Sequence, residues 1–496
     1  MKTSLTTPIL LVLLAGCTSL PSVGPDYELP ADQLPVLPTP DAGQPTSELT
    51  DSGEYVKATG EADVRQAITT DAITAWWTRF NDSVLTGLVD ESVSNNVSFR
   101  MAQQRLEASR WQLIGARAAY FPKLDFGATA AATEKGPNTA SMWGSGRTLH
   151  RNLFTGGFDA TWEIDIFGGT RRAEEAAWAE VEAAGWTLDD AYVSLTSEVG
   201  REYIRLRTIQ QRLSVARTNL VLQADTYAIV KSRLDSGIGD QLAVSQSKYI
   251  VDQTRASIPP LLAAEEALKN SLAILTGRMP GTHHAELAVC PERTWMMPQE
   301  RLDAIPLDLI RNRPDVRVAE RRLAAQVARV GVAKALWYPK LYLNGSFGLE
   351  AVKADKLFNR DAFYGSIGPS ISWPIFHGGA IYANQQVEEA RMEEAVLAYE
   401  LALQKAYGEV RDAYAAYSQE YHRCKALEGA VEAAQDAVAI SQDLFHTGLR
   451  DFTAVIDAQR SLLNLQEALV ISRGQIADQM IALYKALGGG RAQVAN

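Results

Sequence analysis

The chain has 496 residues, 46% hydrophobic and 22% charged, which is long and apolar enough for ordered structure and unlike a disordered chain. Its formal net charge of −11, with no basic stripe, excludes a nucleic-acid-binding surface, which needs clustered Lys and Arg.

The N-terminus reads MKTSLTTPILLVLLAGCTSLPSVGPDYELP, with a basic start at Lys2 and an apolar core from Ile9 to Leu14 too short to span a bilayer as a helix. Leu14-Ala15-Gly16-Cys17 closes that core in the manner of a bacterial lipoprotein signal, so residues 1–16 are expected to be removed and Cys17 to carry the lipid. An ordinary signal peptide with a cysteine near its end is the alternative. Thr18 and Ser19 stand where an Asp would favour the inner membrane, so by the same resemblance the anchor goes to the outer membrane. Several acyl chains hold where one would not. Residues 17–80 form the segment behind the anchor.

From Ser83 to Ala119, Leu85, Leu88, Val89, Val93 and Val97 recur at helical spacing, and Pro122 ends the helix. A strand pair follows, at about 122–134 and 153–166. In the second strand, FDATWEIDIFGG, the row Phe158, Ala160, Trp162, Ile164, Ile166 alternates with Asp159, Thr161, Glu163, Asp165, so one face is oily and the other acidic. The helix expected over 171–235 contains no proline and would be about 100 Å long at ~1.5 Å per residue. No compact domain buries such a rod, and Val193, Leu195, Val199, Tyr203, Ile204 and Leu206 instead mark a narrow coiled-coil seam. Ser236-Gly237 makes the tip, where one residue must take positive φ, and a return helix covers 242–275.

Residues 278–314 are a linker holding His283-His284, a pair without metal-ligand spacing, and Cys290, which with Cys424 leaves one bridge possible in an oxidising compartment. The second half, 315–490, repeats the first at a spacing of about 210 residues: WYPKLYLNGSFGLE echoes AYFPKLDFGATAAA, SWPIFHGG echoes WEIDIFGG, and HTGLRDFTAV echoes DSGIGDQLAV. It supplies a helix ending before Pro339, strands at about 339–351 and 363–375, a long helix over 383–446, a tip at Thr447-Gly448 and a return helix over 452–487, before a tail at 491–496. Each leading helix plus return helix matches the long helix in length, so antiparallel pairing is expected.

Four strands cannot close a membrane barrel, and an open edge in lipid leaves backbone groups unpaired at several kcal/mol each, so the chain must oligomerise if these are membrane strands. The alternative is a soluble sandwich in which the oily row packs on a second sheet. No nucleophile, general base, cofactor loop or metal cluster emerges, so neither enzyme activity nor any cofactor beyond the covalent lipid at Cys17 is expected.

Cys17 with VGPDYELP behind it, RNRPDVRVAERRLAAQVARVGVAKALWYPKL (311–341), PIFHGG (374–379), HTGLRDFTAVIDAQRSLL (446–463) and LYKALGGG (483–490) resemble the TolC-type outer-membrane factors, in their OprM/NodT-like lipoprotein branch. The resemblance implies a mixed α and β membrane protein: a homotrimer whose four strands per chain make a twelve-stranded transmembrane barrel, continued by a coiled-coil periplasmic barrel, with an equatorial belt drawn from 278–314 and part of the N-terminal segment. His377, where an Asp or Asn is frequent, and Gly169-Thr170, replacing a more basic turn, are small departures.

The function so implied is an outer-membrane duct for small molecules, joined through a periplasmic adaptor to an inner-membrane pump of the RND type; a type I protein-secretion duct and a lipid-anchored coiled-coil spacer are the other readings. Lumen-facing Asp159, Glu163 and Asp165 would line the barrel. Family resemblance assigns Asp457 and Arg460 to the aperture, with Asn464 and Glu467 continuing their polar line, and Gly237, Asp240, Gly448, Arg450 and Asp451 to the tips that meet the adaptor. An exposed intrahelical Asp457–Arg460 pair is the plainer alternative.

Overall fold

The computed structural model describes residues 22–28, 47–49, 55–57, 66–67, 74–135, 149–282, 284–288, 300–301, 307–447 and 449–489. Cys17, Cys290 and Gly448 lie outside the described residues. Three short strands come first, β1 (Ser47–Leu49), β2 (Tyr55–Lys57) and β3 (Gln66–Ala67), then helices α1 (Ser83–Asn95) and α2 (Val97–Arg117). β4 (Lys123–Lys135), β5 (Leu149–Ile164), α3 (Gly169–Asp235) and α4 (Gln241–Leu275) complete the first repeat. The linker holds α5 (His284–Ala288), β6 (Glu300–Arg301) and α6 (Leu307–Arg311); α7 (Pro314–Ala335), β7 (Lys340–Ala351), β8 (Phe363–Ser372), α8 (Ala380–His446) and α9 (Phe452–Ala486) form the second.

The duplication is visible in the lengths: α3 and α8 each have 67 residues, α4 and α9 each 35. Two compact units form, one from Met1–Leu34, Arg105–Gly185 and Val318–Tyr399, the other from Pro35–Gln104, Trp186–Arg317 and Glu400–Asn496. Each repeat therefore contributes to both units.

The first unit contains the four-stranded antiparallel sheet, in the order β4-β5-β7-β8. β4 and β8 are its edges, with no partner on their outer sides among the described residues. Beside the sheet the VGPDY string is explained. Gly24, at φ +106°, lies against Gly331, where a Cβ would stand 2.5 Å from the Gly331 Cα. Buried Arg172 donates to the carbonyls of Val23 and Gly24 and pairs with Asp26 at 2.6 Å, and Val23 N–H donates to Phe167.

In the second unit the expected seam is buried: Val193, Leu195, Val199, Tyr203, Ile204 and Leu206 all lie in the core. Antiparallel packing of α3 on α9 is set by a polar ladder beside it, with Arg201–Asp478 at 2.7 Å, Asn219–Gln466 at 2.8 Å and Gln459–Thr226 at 3.2 Å. Trp76 inserts from a 3-10 turn and stacks on Tyr484, and it fits because Gly200 has no Cβ to strike its ring. β3 pairs in parallel with β6, which joins the N-terminal segment to the linker there.

Two expectations are corrected. The helix expected from Ser83 to Ala119 is broken at Asn96, whose side chain accepts from Phe99 N–H and donates to the Leu275 carbonyl at 2.9 Å. A capping side chain that serves two helix ends outcompetes one more turn of helix. The strand expected to 166 stops at Ile164, and that expected to 375 stops at Ser372.

Candidate functional site: a two-faced sheet and the helical tips

Strand register decides what each face of the sheet presents. Phe126, Phe158 and Phe347 are cross-strand neighbours, with centroids 5.1 and 5.2 Å apart. Leu124, Trp162, Leu343, Ile367 and Ile371 share that face by the strand period. On the other face Asp125, Asp159, Ser346 and Ser366 stand side by side across the strands, and Ser346 and Ser366 share a 2.8 Å hydrogen bond. Asn344 donates to Ser370, and Glu163 pairs with Lys340 at 3.0 Å.

Asp159 and Glu163 thus sit on the polar face as expected, and Asp125, which sequence reasoning passed over, joins them. Asp165 does not. It lies past the strand end, where its carboxylate accepts from Arg171 N–H at 3.0 Å and faces the Arg171 guanidinium, fixing the strand-to-helix turn. The alternation ends with the strand, because a turn residue obeys no face rule.

Chain geometry at the tips follows the expected turn chemistry. Gly237 takes φ +77°, with its N–H on Leu234 and the Ile238 N–H on Arg233, so the last carbonyls of α3 are capped. Asp240 is the N-cap of α4 and accepts from Leu242 N–H at 3.1 Å. Asp451 occupies the matching position before α9, but its side chain makes no cap bond.

The tips of both helical hairpins converge. Val230, Val244, Ile250, Phe452, Val455 and Ile456 form one apolar core, and Phe445 packs on it under the Arg233 guanidinium, 4.7 Å from the ring centroid. Beside that core is a recess of about 390 Å³ bordered by Arg233, Asp240, Arg450 and Asp451. The Arg233–Phe445 stack had no sequence signal, since its partners are far apart in the chain.

Asp457 and Arg460 form a 3.1 Å pair on α9, with side chains 59% and 53% exposed while Val455, Ile456 and Gln459 point inward. The pair therefore presents charge outward from its own chain. Asn464 continues this exposed line, but Glu467 does not, being turned to Arg212 at 3.5 Å.

The sequence matches the outer membrane efflux protein family over residues 88–278 and 305–489. The chain belongs to this family. Nodulation protein T of Rhizobium leguminosarum bv. trifolii is 29% identical over 99% of this chain and 98% of its own length. The toluene efflux pump outer membrane protein TtgI of Pseudomonas putida is 28% identical over 97% of each. Among solved structures, the outer-membrane channel OprN is similar at TM-score 0.80 and 30% identity, covering 94% of this chain and 99% of that one. This member of the efflux family is thus an outer-membrane protein with the fold of the trimeric outer-membrane channels, and its sheet is one chain's share of a barrel wall.

Proposed function

We propose that three copies of this chain form the outer-membrane exit duct of a tripartite efflux system, which receives small molecules from an inner-membrane pump of the RND type through a periplasmic adaptor. The observation that carries this reading is the sheet: one face apolar from Leu124 to Ala132, from Phe154 to Ile164 and along β7 and β8, with Glu134, His150 and Asn152 only at its loop end, the other face lined with Asp125, Asp159, Glu163 and serines, and both edges open. Joining edge strands β4 and β8 of neighbouring copies satisfies the backbone groups that hydrocarbon would leave unpaired. The apolar face then meets lipid, and the polar face meets water in the lumen.

Cys17, acylated on its sulfur and amine, anchors the N-terminus to the same membrane. The tips, with Gly237, Asp240, Gly448, Arg450 and Asp451, receive the adaptor. Asp457 from three chains makes a negative ring at the aperture that favours cations, and Arg460 restrains it. Selection of cargo falls to the pump, which fits relatives as differently named as a nodulation protein and a toluene efflux component.

In planar bilayers Asp457→Ala should raise single-channel conductance and weaken cation selectivity. Unchanged conductance and selectivity would remove Asp457 from the gate. The purified chain should run as a trimer in SDS until heated, whereas a water-soluble monomer after lipid removal would overturn the duct itself.

A further inference from the structure

The apolar face of the sheet is not smooth. On β5 the residues of this face run Phe154, Gly156, Phe158, so a missing side chain separates two large ones. Gly156 stands in register between Ala128 of β4 and Leu349 of β7, and a Cβ built on it would meet nothing within 4 Å. The result is a recess of about 440 Å³. The aromatic row Phe126, Phe158 and Phe347 forms one wall, and Leu349, Phe363 and the loop residue Phe358 form the other.

Close backbone approach shapes the floor. Gly157 and Gly348 face one another across β5 and β7, and a Cβ on Gly348 would lie 2.6 Å from the Gly156 carbonyl oxygen. The Tyr364 hydroxyl closes the opposite side of this pinch, 2.9 Å from where a Gly157 Cβ would sit. No residue larger than glycine fits at this pinch without a shift.

We infer that this recess holds one acyl chain of an outer-membrane lipid in each protomer. The inference rests on the reading that the apolar face is the lipid-facing one, and the recess is continuous with that face. Its floor lies on the two central strands, β5 and β7, whereas a neighbouring copy pairs at the edges β4 and β8, so the recess stays open to the bilayer in the trimer. The size suits a ligand buried in a formed pocket, and the walls offer carbon with almost nothing to bond a headgroup. Its height points to the source. Phe347 and Leu349 lie ~25 Å along β7 from its helix-side end at Lys340, which for strands tilted ~40° puts them about 20 Å up an apolar band ~25 Å tall. That is the outer-leaflet part of the band.

The test uses the full-length trimer, reconstituted in vesicles of phosphatidylethanolamine with added lipid A, re-extracted in detergent and weighed by native mass spectrometry. The wild type should retain three non-covalent lipids per trimer. Gly156→Leu, whose Cβ meets nothing within 4 Å and whose branch enters the recess, should retain none. Gly345→Leu, on the same face and with only ordinary contacts to Ala160 and Ser366, should retain all three. Equal lipid counts in wild type and Gly156→Leu, or a conducting wild-type trimer with no bound lipid, would overturn the inference while leaving the duct intact. A chain that forms no detergent-extractable trimer would overturn both.

Discussion

The same joint is built twice in this molecule, with different chemistry. At the end of α4, Gly277 turns at φ +74° and the Leu275 carbonyl accepts from the neutral amide of Asn96. At the matching end of α9, Gly488 turns at φ +76° and the Ala486 carbonyl accepts from the buried guanidinium of Arg313 at 2.7 Å. A helix C-terminus gathers partial negative charge and unpaired carbonyls, so either donor suits it. The charged one brings an obligation. Arg313 needs compensation out of water, and it has Asp315 at 2.8 Å and Glu409 at 2.7 Å. Burial opposes its charge, yet bonds to Asp315 and Glu409 outweigh that and raise its pKa further. The cost passes to Asp190, whose pKa is raised by burial and then by the field of Asp315, against the smaller opposing effects of Lys485 and Arg313. The RPDV string is this joint.

The widest contrast between the joints should come from removing each donor. Arg313→Ala orphans the Ala486 carbonyl and unpairs Asp315 and Glu409, whose side chains are 39% and 58% exposed and so partly screened by water, and should cost about 2–4 kcal/mol, against about 1–2 kcal/mol for Asn96→Ala, which only orphans neutral groups. Denaturant unfolding of the detergent-solubilised trimer would rank them, and equal losses would erase the distinction drawn here. Next are the glycines. Gly277→Ala drives a Cβ into the Asn95 backbone and should cost about 3 kcal/mol, while Gly488→Ala meets the Arg313 Cγ at 3.3 Å and otherwise only ordinary contacts, and should cost about 1–2 kcal/mol, from its left-handed backbone.

A smaller effect is set by pH. With its folded pKa above its unfolded one, Asp190 binds protons better in the native state, so stability falls as pH rises from the ordinary Asp range through the raised value. Asp190→Asn should therefore be more stable than wild type at neutral pH, with the gap closing on acidification; a gap independent of pH would mean the carboxylate titrates normally. The smallest contrast belongs to the tips. Asp240→Ala removes a cap bond worth about 1 kcal/mol, whereas Asp451→Ala removes none and should change melting temperature little, unless adaptor is bound.

Helix extents were legible because periodicity and turn glycines act locally: α3, α4, α8 and α9 each begin and end within three residues of where the pattern places them, and α4 runs on through Pro259 and Pro260. The positive φ at Gly237 was legible for the same reason. The break at Asn96 was not, since what ends that helix is a carbonyl of Leu275, distant in sequence. Likewise Asp165 looks identical to Asp159 in an alternating string, and only the chain's turn toward Arg171 separates them.

Sequence alone determined the duplication, the long rods with their turns, and the two-sided character of the strands, because each depends on spacing between near neighbours. Tertiary structure decided where α1 gives way to α2, which charges answer Arg313, how the hairpin tips share one core, and that a glycine leaves a dent in the apolar face. Those depend on which distant groups meet, and the energy of a buried charge or an absent side chain exists only once its surroundings do.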